Sequence, residues 1–291
     1  MAEMNRWLIG ARPRTLPAAV VPVALGAAAA VGEAGAVWWR VAPALVVSLA
    51  LQVGVNYAND YSDGVRGTDE VRVGPTRLVA SGLAAPGAVK RAALVAFGVA
   101  GVAGLLLAAV TSWWLLAVGA AAILAAWGYT GGPKPYGYLG LGEVFVFTFF
   151  GLVATAGTAY AVCERVTAIA WLAGCAAGCL ACALLVVNNL RDIPTDAAVG
   201  KRTLAVRLGD ARTRALYFGL LVAAMVLVGV VAVAGRPLAA IGLVGAVVAV
   251  PAVRAIRDGA KGVALIPVLG ATGKAQLVTG LLTALGIAVS G

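Results

Sequence analysis

Histidine is absent from all 291 residues. Its absence removes the side chain most used as a general base near neutral pH and a principal ligand for zinc and other transition metals. Cysteine is scarce. Three of the four cysteines (Cys175, Cys179, Cys182) recur at i, i+4, i+7 on one helical face. With no histidine to complete a usual site, that stripe reads as small-residue helix packing and not as a metal centre. Charge is scarce as well: 12% of residues are Asp, Glu, Lys or Arg, about half the share in a soluble domain.

Apolar residues make up 62% of the chain and come in long blocks, such as 92–110 and 216–234. About 20 such residues in a helix cross the roughly 30 Å hydrocarbon layer of a bilayer. Nine spans are expected, at about 16–32, 41–58, 91–110, 113–129, 141–161, 168–188, 215–234, 237–255 and 265–288. The fold class is therefore all-α, a single membrane-embedded domain over 1–291. No cleavable signal peptide is expected, because Ala11-Arg12-Pro13-Arg14 leads into the first span without a small-residue cleavage site.

A net charge of +10 raises the question of nucleic acid. The distribution answers it. With the N-terminus placed in the cytoplasm, inside segments hold 18 of the 22 Lys and Arg and outside segments hold 3, with Lys274 inside the last span. Such asymmetry is the positive-inside pattern of a multi-pass protein. Topology and anionic ligands account for the basic balance.

Two segments stand apart from the short connections: 60–91 and 190–214, which hold 11 of the 22 basic residues. Long loops in compact proteins are commonly functional. They also echo each other. Asn56-x3-Asp60 is followed by Asp63, and 132 positions later Asn188-x3-Asp192 is followed by Asp196. The echo implies a pseudo-repeat of four plus four helices with a ninth added.

On a helix, Asn56, Asp60 and Asp63 share one stripe, as do Asn188, Asp192 and Asp196. If the two helix ends face each other, four carboxylates and two or three amides converge on one cavity. Like charges at that density require cations between them. With oxygen ligands alone on offer, the cation is a hard one such as Mg²⁺, with Mn²⁺ as a substitute. Magnesium takes one or two carboxylates per ion and completes its shell with phosphates and water. Arg66, Arg72, Arg77, Arg191, Lys201, Arg202 and Arg207, in the same loops, suit the remaining phosphate charge. Solvated ion pairing explains one such acid easily; it explains two matched stripes poorly.

A metal and diphosphate site opening into a membrane points to a lipid diphosphate. Two chemistries follow from it. Water attack on phosphorus needs a placed base or nucleophile, a role left here to the same carboxylates. Loss of diphosphate to give an allylic cation needs electrostatic help at the leaving group and aromatic faces for the positive carbon. Trp127, Tyr129, Tyr136, Tyr138, Phe145, Phe147, Phe149 and Phe150 cluster around the fourth and fifth spans. Any one of them also fits an interfacial aromatic belt.

Four stretches carry a resemblance to a family: ARPRTLPAAVVPVALG (11–26), NYANDYSDGVRGTD with GPTRLVASG (56–82), YTGGPKPYGYLGLGEVFVFTFFG (129–151) and VNNLRDIPTDAAVGKRTLAVRLG (187–209). Together they resemble the UbiA superfamily of intramembrane prenyltransferases, and in finer pattern its 1,4-dihydroxy-2-naphthoate polyprenyltransferase branch. The resemblance implies nine helices around a central cavity open sideways to lipid. It implies metal binding by Asn59, Asp60 and Asp63 of the first motif and by Asp192 and Asp196 of the second. Asp69 stands for the first motif's last acid, two residues beyond the commoner spacing, with Gly67 in the usual place. Arg12 and Lys134 match basic positions that hold diphosphate.

The expected metal set is thus Asn56, Asn59, Asp60, Asp63, Asp69, Asn188, Asp192 and Asp196. Asp60, Asp63, Asp192 and Asp196 form the catalytic core. Arg12, Arg66, Arg72, Arg77, Lys134, Arg191 and Lys201 hold diphosphate. The family chemistry transfers a polyprenyl chain from polyprenyl diphosphate to 1,4-dihydroxy-2-naphthoate with loss of CO₂, giving demethylmenaquinone at a bacterial plasma membrane, from a site opening to the cytoplasm. Glu143 reads either as a supporting carboxylate or as solvated. Lys274 reads as snorkelling, as paired with Glu143 or Asp258, or as reaching toward an anion in the cavity. Two rival functions are another acceptor (4-hydroxybenzoate, homogentisate or a phosphoribosyl compound) and a solute transporter.

Overall fold

The computed structural model describes residues 5–68, 74 and 76–291, and among them the regular structure is entirely helical. Chain order runs α1 (Arg6–Ala11), α2 (Pro17–Ala29), α3 (Val41–Val65), α4 (Pro86–Val110) and α5 (Trp114–Gly128). There follow α6 (Gly142–Val146) and α7 (Ala154–Cys163), joined through a π-helical stretch, Phe147–Val153, into one rod. The second half comprises α8 (Ala168–Ala198), α9 (Leu204–Val233), α10 (Gly245–Arg257, entered through a 3₁₀ stretch Pro237–Val244) and α11 (Leu265–Val289). Among the described residues seven helical rods are long and apolar enough to cross a bilayer, and α2 and α5 are shorter apolar helices.

Helices stand at the positions of the nine expected spans, seven of them in rods long and apolar enough to cross a bilayer among the described residues, but the expected loops shrink. Helix α3 runs on to Val65 and α8 to Ala198, so both acid motifs are helical and not loop-borne. The long α8 is also the most enclosed of the long apolar rods. The segment 190–214 contains a short break at 199–203 and a kink at Gly209, whose φ of 75° interrupts α9. Helix propagation explains the extension. Asn, Asp and Ser disfavour helix starts less than interiors, yet burial of Asn56, Asn59, Asp60, Ser62 and Asp63 carries α3 through the motif.

Small residues set the helix spacing. Gly151 backs onto α8 so closely that an added Cβ would lie 2.5 Å from Gly178 Cα and 2.7 Å from Gly174 O. Close backbone approach of this kind is how helices associate when lipid removes the usual hydrophobic drive. One core lies among α8, α9, α10 and α11 around the fully buried Tyr217, whose hydroxyl meets Thr272 Oγ1 at 2.9 Å. At the end remote from the acids, Arg40 ties Ala161 O (3.1 Å), Glu164 Oε1 (2.9 Å) and Val110 O (2.6 Å), fixing the start of α3 against the ends of α4 and α7.

Candidate active site

The acid-bearing ends of α3 and α8 border one cavity of about 860 Å³, which is otherwise lined mainly by apolar residues. Asn59, Asp63, Asn188, Asp192 and Asp196 line it, with Asn56, Arg12, Arg77 and Lys201. Asp63 is 1% exposed and Asp192 4%. Polar groups at one end of an apolar chamber suit a ligand with a charged head and a hydrocarbon body.

Asp60 does not join them. Its Oδ2 accepts the backbone N–H of Leu78 at 2.8 Å and its Oδ1 that of Val79 at 3.0 Å, and it is fully buried away from the cavity lining. Helix phase is the reason. At about 100° per residue, Asp60 lies roughly 60° from Asp63 and 100° from Asn59, on the far edge of the polar stripe. The expected convergence of four carboxylates is therefore one of three among the described residues.

Asn56 lines the cavity, but its carboxamide is committed. Nδ2 donates to Ala11 O (2.9 Å) and Thr15 Oγ1 (3.1 Å), and Oδ1 accepts from Gln52 (3.3 Å). It anchors the turn carrying Arg12, whose backbone is left-handed at φ 53° and whose guanidinium donates to Asn56 O at 3.3 Å. A non-glycine residue held there is strained, and surrounding bonds must hold it.

The basic residues separate in the same way. Arg66 donates to Thr130 O and Gly132 O and lies 5.4 Å from the Tyr138 ring centre, so it braces the 129–140 connection and is not a cavity residue. Lys134 is exposed and outside the lining. Arg191 grips Asp192 with two bonds of 2.7 Å and adds one to Asn188 Oδ1 at 2.8 Å, while its buried Nη1 has no hydrogen-bond partner among the described residues. Asp69 and Arg72 lie outside the described residues.

The 129–140 connection supplies residues that spacing alone did not reveal. Thr130 Oγ1 donates to Asn59 Oδ1 at 2.8 Å, and Tyr138 donates its hydroxyl to Asp63 Oδ1 at 2.8 Å. Arg202 N–H donates to Tyr138 O at 3.1 Å, so one connection touches both acid-bearing halves. Burial, and then the Asp63 charge, push the Tyr138 phenol up to about 12, so it remains a donor at neutral pH. Asn189 was also missed: it lines the cavity and donates to the buried Glu143 Oε1 at 3.0 Å. Glu143 is thus buried and bonded to a cavity residue, not solvated. Lys274 is exposed and forms no ion pair among the described residues.

The aromatic group divides between faces. Tyr129, Tyr136, Phe145, Phe149 and Phe150 line the cavity, and Tyr136, Phe145 and Phe149 form a ladder with centroids 3.8 and 6.2 Å apart. Phe147 turns away against Gly178, and Trp127 packs with Tyr61. The π-helical turn, a feature frequent at functional sites, lets both Phe149 and Phe150 face the cavity.

The donor set fits a divalent cation. It is all oxygen, and Lys201 Nζ sits 3.7 Å from Asp63 Oδ2 and 3.8 Å from Asp196 Oδ1, a cation already drawn between the motifs. Among the described residues no three acid, Cys or His side chains make a ready cage. An ion there would take one or two carboxylates and complete its shell from a ligand and water.

An apolar chamber in a helical membrane bundle, with acid motifs facing each other across its polar end, defines an intramembrane enzyme. Residues 19–264 match the UbiA prenyltransferase family, and the chain belongs to it. It is 54% identical over 284 residues, 98% of this chain and 97% of the relative, to the 1,4-dihydroxy-2-naphthoate octaprenyltransferase of Mycobacterium tuberculosis. To the protein of the same description in Escherichia coli it is 36% identical, over 78% of this chain and 76% of the relative. The fold matches a UbiA homolog from Archaeoglobus fulgidus bound to GPP and Mg²⁺ (TM-score 0.66, 15% identity, 98% of this chain and 99% of that one). It also matches the apo structure of a UbiA homolog from Aeropyrum pernix K1 (TM-score 0.70, 15% identity, 94% and 97%).

Proposed function

We propose that this prenyltransferase moves a polyprenyl chain from polyprenyl diphosphate to 1,4-dihydroxy-2-naphthoate with loss of CO₂, in menaquinone synthesis. The observation that carries the reading is the single cavity with Asp63, Asp192 and Asp196 at its polar end and an aromatic ladder on its wall. The full-length similarity to naphthoate octaprenyltransferases supports the acceptor.

Asn59, Asp63, Asn188, Asp192 and Asp196 would hold Mg²⁺, with Mn²⁺ as a substitute. When bound, the metal supplies positive charge that neutralises the departing diphosphate. Arg12, Arg77 and Lys201 line the same end and receive the remaining phosphate charge. Asp60 and Asn56 shape the loop and turn that present them. Tyr136, Phe145 and Phe149 offer π faces to the allylic carbon and exclude water from it. The naphthoate ring attacks through its carboxyl-bearing carbon. CO₂ leaves with the proton count and electron count of a hydroquinone preserved, so the immediate product is the quinol, and demethylmenaquinone forms by a later oxidation.

In the same reading the chain is one domain crossing a bacterial plasma membrane nine times, with α2 and α5 as its shorter crossings. The N-terminus and the acid end of the cavity face the cytoplasm. The 18-to-3 division of basic residues supports this. Trp38, Trp39, Trp113, Trp114 and Trp171, exposed at the helix ends remote from the acids, suit a bilayer interface at that end.

The test is direct. Purified protein, polyprenyl diphosphate, the naphthoate and Mg²⁺ should yield prenylated quinol and CO₂ together. Product from 4-hydroxybenzoate, homogentisate or a phosphoribosyl acceptor, with none from the naphthoate, would overturn the acceptor assignment.

A further inference from the structure

The ammonium between the two acid motifs is held differently from its neighbours. Lys201 lies 3.7 and 3.8 Å from Asp63 and Asp196, beyond the roughly 2.7–3.2 Å of a directed hydrogen bond. Charge holds it there, not a fixed bond. Arg191 is the contrast, locked on Asp192 by two bonds of 2.7 Å and on Asn188 by a third. Local backbone delivers the lysine. Gly200 takes φ 75° just after α8, and Lys201 N–H donates to Asp196 O at 2.8 Å, so the chain doubles back over its own acid. Tyr138 completes the seat. Its ring centre is 5.0 Å from Nζ, and its hydroxyl occupies Asp63 Oδ1, leaving Oδ2 as the oxygen nearest the ammonium.

We propose that Lys201 is a built-in counter-ion of the acid site: it balances Asp63 and Asp196 before a divalent cation enters, yields to that cation, and passes to the diphosphate. The proposal rests on the reading of these acids as a divalent-cation site. An ammonium and a divalent ion repel each other at the same two carboxylates, so one must move. Lys201 is the group free to do so, on a flexible four-carbon stem with no bond of hydrogen-bond length from its ammonium to either acid. A rotamer change suffices. The displaced charge then needs an anion, and the diphosphate of the incoming lipid is one. Metal entry without diphosphate is thereby opposed, and entry with it favoured, which couples the two ligands. Lys201 is a positioning residue before the reaction and a diphosphate ligand during it.

The experiment titrates Mn²⁺ into the purified full chain in detergent, reading the free ion by EPR with no diphosphate present. Lys201→Met should bind Mn²⁺ about tenfold more tightly than the wild type, within the usual range of coupling between sites. It should also retain labelled inorganic diphosphate about tenfold less well at saturating Mn²⁺. Lys201→Arg keeps the charge and adds a fork that fits carboxylates, so Mn²⁺ should bind it several-fold more weakly than the wild type. That second variant keeps the test alive if the methionine variant does not fold. Equal or weaker Mn²⁺ binding by Lys201→Met overturns the proposal, and so does undiminished binding by Lys201→Arg. Failure of the wild type itself to bind Mn²⁺, with or without diphosphate, instead removes the underlying cation-site reading and the proposal with it.

Discussion

The carboxylate of Asp60 accepts the backbone N–H of Leu78 at 2.8 Å, with the N–H of Val79 on its other oxygen at 3.0 Å. Asp63, one turn further along the same helix, faces the cavity. Two acids of one motif therefore have different work, and substitution separates them. Asp60→Asn replaces one acceptor by a donor facing an N–H group. It should cost about 1–3 kcal/mol of stability, the range for an unsatisfied buried partner. Asp63→Asn keeps an oxygen for the Tyr138 hydroxyl, so without metal it should lower the thermal midpoint less than Asp60→Asn does, while lowering turnover by a hundredfold or more. Thermal midpoints and turnover, measured side by side, decide this. Equal turnover loss at equal midpoints in both variants would place Asp60 in the cavity after all.

The bond from Tyr138 to Asp63 gives a pH signature. Burial, and next the Asp63 charge, raise the phenol from its ordinary 10.0 to about 12. The fold thus favours the neutral phenol. Its contribution to stability is complete below pH 10 and disappears as pH rises toward 12. The midpoint difference between wild type and Tyr138→Phe should be constant up to about pH 10 and shrink above it. At neutral pH, Tyr138→Phe should raise the Mg²⁺ concentration for half-maximal activity several-fold with a smaller effect on kcat. A midpoint difference flat across pH 9–12 would show that Tyr138 does not donate to the acid.

The helices and their order were legible because each long apolar run allows one outcome in a bilayer. The facing of the two motifs was legible from their repeat, since Asn188, Asp192 and Asp196 span one face of α8 and line the cavity. The fate of Asp60 was not legible. Its partners Leu78 and Val79 lie 18 and 19 positions away, across a connection with no periodic pattern. Thr130 and Tyr138 lie 71 and 75 positions from the residues they orient. Such ties come from tertiary packing. Gln52 could have been found, because it sits one turn before Asn56 on the same stripe.

Glu143 reaches the cavity through another residue. Its Oε1 accepts from Asn189 Nδ2 at 3.0 Å, and Asn189 lines the cavity. Glu143→Gln keeps an oxygen for that bond and should hold kcat/KM within about threefold. Glu143→Ala removes it and should lower kcat/KM about tenfold, near the worth of one hydrogen bond to a charged group. Steady-state kinetics with the acceptor varied tests the pair. A Gln variant as impaired as the Ala variant would point to the charge itself and not to the orientation of Asn189.

The aromatic residues around the π-helical turn divide by face, and that division tests the cationic route. Phe145 and Phe149 line the cavity, stacked with centroids 6.2 Å apart, while Phe147 packs against Gly178 on α8. Phe145→Leu and Phe149→Leu keep apolar bulk but remove a π face. If that face stabilises an allylic cation, kcat should fall about tenfold with little change in KM, since cation–π attraction in a dry site is worth about 1–2 kcal/mol. Phe147→Leu removes a similar volume outside the cavity. It should lower the thermal midpoint, as core truncations do, and leave kcat near wild type. Turnover of a fluorinated prenyl diphosphate, whose cation is harder to form, should suffer further in the two cavity variants and not in Phe147→Leu. A kcat loss shared equally by all three would mean that packing, and not the π face, sets the rate.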